Sequence, residues 1–260
     1  MSWNWFKNAA RRHVRDEAGA SLVEYTVVII LFLLIFFAIL DFGRLGFNWV
    51  MTEKAMQRAA RIAATRPPAC AGVPETIGRT STATAFGTLC RSGAGVCADP
   101  TGGVPQQCAL GAATDFAGAN NPCTVPVVVP TLGNNPTAAE IATREAAIRA
   151  ETRQEIWCLL EPILPSNANP SNIRVTYTYN DDLGFVGGPY VPMVEVGTVT
   201  AATAGNGLNQ LRFEFITPIP ALIALIGGAT TQYGQDVDND SLADIPFPDL
   251  SVSMPGEDLN

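Results

Sequence analysis

The chain has 260 residues, with 24 acidic against 16 basic side chains, six cysteines and one histidine. Past Gly19 the balance is 12 basic to 22 acidic, a net of −10, which argues against a nucleic-acid partner, since such a partner wants a basic face. The single histidine, His13, lies in the N-terminal leader, so histidine-based acid–base or nucleophilic catalysis is removed from the rest of the chain. No G-x-S-x-G, P-loop or dinucleotide fingerprint in a strand–helix context takes its place, and the expectation is a protein that is not an enzyme.

Residues 1–19 form a basic leader carrying Lys7, Arg11, Arg12 and Arg15. From Val27 to Leu40 no side chain is polar. With Leu22, Val23, Tyr25, Thr26 and Phe42 the segment reaches about 20 residues, the length of a membrane-spanning helix. Basic residues beside a span stay in the cytoplasm, so the leader is expected inside and the bulk of the chain outside, in a single-pass arrangement. The competing reading is a cleaved secretory signal, but the apolar core is long for one and Asp41-Phe42-Gly43-Arg44 offers no small-x-small cleavage site. Good helix formers continue to Thr65, with Met51, Ala55, Ala59, Ile62 and Ala63 at helical spacing. Arg66-Pro67-Pro68 ends the run. Residues 20–67 are therefore read as one long helix, crossing the membrane to about residue 42.

Residues 68–260 are long enough for an outer domain with its own core. Cys70, Cys90, Cys97, Cys108, Cys123 and Cys158 all fall there. An even count on the oxidising side of a membrane reads as disulfides, and the sequence does not choose among the 15 pairings. A zinc site competes with that reading but lacks a C-x-x-C and an outer histidine. Residues 69–136, rich in Gly, Ala, Thr, Pro and Cys, read as irregular disulfide-pinned loops, and Cys158 is expected to bridge back to them. Thr137 and Glu140 stand at capping-box spacing. They open an amphipathic helix that Pro162 ends. The alternating Ile173–Tyr179 predicts a strand, with further strands at Met193–Thr200 and Leu211–Thr217. Pro218–Ile226 is too short to cross a bilayer and reads as a buried helix or a segment packed on the sheet. The fold class is thus α+β, with a long N-terminal transmembrane helix running into an outer domain that holds a second helix and a small antiparallel sheet.

Two places carry candidate site chemistry. Glu24 heads the apolar span, where an unpaired carboxylate costs roughly 2.5–3.5 kcal/mol on insertion scales. Either it pairs with a partner inside the membrane or it reaches headgroup water. Further on, Asp236, Asp238, Asp240 and Asp244 alternate oxygen ligands as the start of a calcium loop does. Ser241 stands where such a loop wants Gly, and Phe247 where it wants Glu. The alternatives are a solvated acidic loop with no cofactor and a Ca²⁺ site.

The segment Gly19-Ala20-Ser21-Leu22-Val23-Glu24-Tyr25 and the hydrophobic helix after it resemble the class III signal of type IV pilins. More narrowly, Glu24-Tyr25, Asp41-Phe42-Gly43-Arg44 and Ala59-Ala60-Arg61-Ile62-Ala63 resemble the N-terminal region of TadE-like proteins, minor pilins of tight-adherence pili. The ending Met254-Pro255-Gly256-Glu257-Asp258-Leu259 is similar too. The close resemblance covers about 50 residues; the cysteine-bearing insertion and the acidic loop depart from it. It implies a structural subunit that initiates, caps or enters an adhesive filament. Its partners would be other pilins and minor pilins, a prepilin peptidase, the assembly platform of the inner membrane, and lipid. Cleavage would follow Gly19, making Ala20 the new N-terminus and Glu24 the fifth residue. The new amino group would neutralise the Glu24 of an adjacent subunit, since an opposite charge within about 4–6 Å favours the ionised carboxylate. The alternative is a single-pass envelope protein with an uncleaved anchor, whose outer domain binds a ligand or partner.

Overall fold

The computed structural model describes residues 17–111, 123–200, 202–205, 208–215, 217 and 244–256. Helix α1 runs from Glu17 to Thr65, 49 residues without a break, or about 70 Å at 1.5 Å per residue. It ends where the sequence places proline, which cannot donate the next helical hydrogen bond. Two compact units divide the chain. One holds residues 1–45 and 215–243, the other residues 46–214 and 244–260.

In the larger unit, the C-terminal part of α1 buries a face of mostly small residues. Ala55, Met56, Ala59, Ala60, Ala63 and Ala64 are all essentially inaccessible. Alanine keeps the helix propensity high while letting backbone come close. Helix α2, Ala138–Leu160, starts at the expected capping box. Glu140 N–H donates to the Thr137 hydroxyl and Thr137 N–H donates to the Glu140 carboxylate at 2.7 Å. Those bonds from Thr137 hold the Glu140 carboxyl below the usual range. Only the C-terminal half of α2 is buried, through Thr152, Gln154, Ile156, Trp157 and Leu160.

The main sheet has four strands in the order β1 (Gln106–Ala109), β2 (Ile173–Thr178), β3 (Met193–Thr198) and β6 (Ser251–Pro255), all antiparallel. Strand β2 alternates as its sequence predicts. Ile173, Val175 and Tyr177 are buried on one face, and Arg174 on the other reaches Glu195 of β3 at 2.6 Å, a diagonal opposite-charge pair. In β3, Gly197 is required by close approach, because a Cβ there would sit 2.9 Å from the Leu250 carbonyl. A separate pair joins β4 (Arg212–Glu214) to β5 (Asp244–Pro246). Strands β1, β5 and β6 were not expected. β1 lies inside the stretch read as loops, and among the described residues of the expected strand 211–217, Arg212–Glu214 pair as β4.

All six cysteines are joined, as Cys70–Cys108, Cys90–Cys97 and Cys123–Cys158. The first links the chain just beyond α1 to edge strand β1, and the third links the loop region to the end of α2. Gln154 adds to the third, accepting from Val127 N–H at 2.9 Å and donating to the Val125 carbonyl at 2.6 Å. The Cys90–Cys97 bridge lies in a small cluster with Ile77, Val186 and Tyr190.

Tyr177 ties β2 to the end of α1. Its ring is fully buried, and its hydroxyl accepts from Ala69 N–H at 2.9 Å. Burial pushes its phenol up to about 12, against the lowering effect of the Ala69 bond. Tyr190 is also pushed up to about 12, by burial and then by the charge of Asp99. An unfolded tyrosine ionises near pH 10. Between pH 10 and 12 the folded chain therefore holds protons that the unfolded chain has lost. The Tyr177 contribution, on the order of 2–3 kcal/mol, is complete below pH 10 and disappears as pH rises to about 12. Urea titrations across this window should show stability falling with pH, and the fall should be shallower in Tyr177→Phe. An equal slope in the variant would contradict the assignment.

Candidate functional site in the N-terminal helix

Gly19 and Ala20 lie in the first turns of α1, so the backbone around the expected cleavage point is helical. From Ser21 through Phe36 every residue is exposed. A helix that is apolar all round and exposed along this length needs an apolar surrounding. Among the described residues, α1 is the helix long and apolar enough to cross a membrane. Thr26 suits that setting, because its hydroxyl donates to the Leu22 carbonyl at 2.7 Å and leaves no donor for lipid to satisfy. Glu24 and Tyr25 are exposed at the head of this stretch.

The two acids that bracket the apolar run are treated differently. Asp41, at its far end, is 1% exposed. It accepts a hydrogen bond from the Thr217 hydroxyl, and Arg44 stands 3.9 Å away. Phe42 beside it meets Phe215 edge-on at 6.2 Å. Asp41 is thus satisfied within its own unit. Glu24 has no hydrogen bond or ion pair among the described residues. An acid in an apolar helix whose charge the described part of its own chain leaves unanswered is open to a partner. Sequence reasoning quoted Asp41 only as part of a pattern. The signal available was an acid closing an apolar run, but its partner lies 176 positions away.

Residues 19–61 match the family model of TadE-like proteins. This segment is TadE-like. No curated protein and no solved structure matches the chain. The matched residues take in Gly19, Glu24, Asp41 and the buried Ala55, Ala59 and Ala60 of α1. Everything beyond the TadE-like segment rests on its own structure.

The leader basic residues Lys7, Arg11, Arg12 and Arg15, the apolar Pro218–Ile226 and the acidic positions Asp236, Asp238 and Asp240 lie outside the described residues. Asp244 opens strand β5. Among the described residues, no three or more His, Cys, Asp or Glu side chains gather as metal ligands.

Proposed function

We propose that this protein is a minor pilin of a Tad-type pilus, made with a basic cytoplasmic leader and cut after Gly19 by a prepilin peptidase. The observation that carries the reading is the TadE-like helix with its exposed Glu24, five residues past Gly19 and without a side-chain partner among the described residues. In this reading the helix anchors the chain in the inner membrane with the leader inside, as its basic residues favour. The disulfide-bonded domain then stands in the periplasm, the compartment in which such bonds form and persist. Assembly moves the helix from lipid into a bundle of neighbouring helices. There the free amino group of one subunit meets Glu24 of the next, near the assembly platform. The role is structural rather than catalytic, either priming or capping the filament or entering it.

Processing is the direct test. Intact-mass measurement of the membrane-extracted protein should show loss of residues 1–19 and an N-terminus at Ala20. A glycine just before the cut lets the peptidase approach the backbone closely. A full-length chain from cells with an active prepilin peptidase would overturn the pilin reading in favour of a permanent anchor.

A further inference from the structure

The C-terminal part of α1 carries a second feature, separate from its apolar stretch. Lys54, Arg58 and Arg61 recur at i, i+4 and i+7, so they share one helix face. With Ile62, Arg66 and Glu155 they line a groove of about 820 Å³ between α1 and α2. Arg66 is neutralised there by Glu155 at 3.1 Å. The side chains of Lys54, Arg58 and Arg61 have no hydrogen bond or ion pair among the described residues. Like charges four apart on a helix repel by a few tenths of a kcal/mol per pair. Three in a row, in a region with a net charge of −10 past Gly19, form an electrostatic hole that an anion would fill.

The same unit carries an exposed acidic turn. Between β2 and β3 the chain turns at Asp181-Asp182, both exposed and neither paired with a cation among the described residues. The turn is held in shape by the Asp182 N–H donating to the Asn180 side chain at 2.9 Å. Two adjacent carboxylates on a hydrogen-bonded turn complement three cations along a groove. Lipid headgroups fit less well. Recognition of anionic lipid takes four to eight cations directly beside a span, whereas this face has three and begins ten residues past Arg44. We propose that the Lys54–Arg58–Arg61 groove receives the Asp181–Asp182 tip of a second copy of this chain. Donor and acceptor surfaces differ, so the contact is heterologous, and without ring closure it generates an open row of copies. It rests on the groove and the tip and is independent of leader processing.

The test follows self-association of the full chain in detergent micelles by analytical ultracentrifugation at low and high salt. Wild type should associate, and salt should weaken the association because the pairs lie near the surface. Lys54→Glu/Arg58→Glu/Arg61→Glu alone and Asp181→Lys/Asp182→Lys alone should each lose about tenfold or more in affinity. An equimolar mixture of the two variants should recover association, because each tip then meets a groove of opposite charge. Recovery would also show that both variants are folded. The proposal is overturned if either variant associates as wild type does, or if the mixture stays dissociated while both variants melt like wild type. It is equally overturned if the groove variant loses only its binding to phosphatidylglycerol-containing vesicles.

Discussion

Replacing Cys70 and Cys108 together by alanine should lower the stability of the disulfide-bonded unit by about 3–4 kcal/mol, the largest loss expected from the cross-links. The bridge closes a sequence separation of 38 residues, and in the chain-entropy account longer loops gain more. Its position adds to the effect. Cys70 follows directly on Ala69, whose N–H holds the Tyr177 hydroxyl. Cys108 sits in β1 opposite Val175 of β2. Cutting the bridge frees an edge strand that little else holds, since β1 has four residues and pairs on one side only. The Cys90–Cys97 bridge spans a separation of only 7, so its removal should cost less, about 2–2.5 kcal/mol. Denaturant unfolding followed by near-ultraviolet circular dichroism orders the two variants. Equal losses, or a Cys70→Ala/Cys108→Ala protein as stable as wild type, would refute the argument. Hydrogen exchange in the same variant should rise first in residues 106–109, the strand the bridge fastens.

That strand also marks the limit of what the sequence discloses. Helix α2 was legible because Thr137 and Glu140 set its start and Pro162 its stop, signals contained within the helix itself. Strands β2 and β3 were legible because alternation survives in a half-buried sheet. Gln106-Gln107-Cys108-Ala109 has neither β-branched residues nor alternation. It is a strand because β2 offers it a free edge and a disulfide holds it there, and both causes are tertiary. Strand β6 pairs with β3 over five positions, although its serines and proline are weak strand formers. In the candidate site, Gly19 and Glu24 stood out because a charge at a fixed distance from a glycine, ahead of an apolar run, has a local meaning. Asp41 and Thr217 did not, because no spacing rule connects residues so far apart. The groove face was equally hidden. Lys54, Arg58 and Arg61 look like ordinary solvated charges until the fold shows that nothing described pairs with them.

The other large effect is expected at Glu24. Glu24→Ala should leave membrane insertion and the disulfide-bonded unit intact, since removing a charge from a span eases insertion. The Glu24 side chain also makes no hydrogen bond or ion pair among the described residues that the change could break. Assembly should fail instead. In the filament reading, the amino group released at Ala20 is buried beside the Glu24 of a neighbouring subunit. Removing one member of a buried pair leaves the other uncompensated, at about 3–5 kcal/mol, which biases assembly by two or more decades. Glu24→Gln preserves shape and hydrogen bonding but not charge, so it should assemble better than alanine and worse than wild type. Asp41 supplies an internal contrast. It already has Thr217 and Arg44, so Asp41→Ala should act on the monomer, through the loss of those bonds, rather than on partner choice. Piliation is measured together with recovery of the protein in sheared filaments, for each variant at equal membrane abundance. If Glu24 only reaches headgroup water, all its variants assemble alike. Wild-type recovery of Glu24→Ala in filaments would sink the role assigned to this carboxylate and leave the TadE-like helix as an anchor alone.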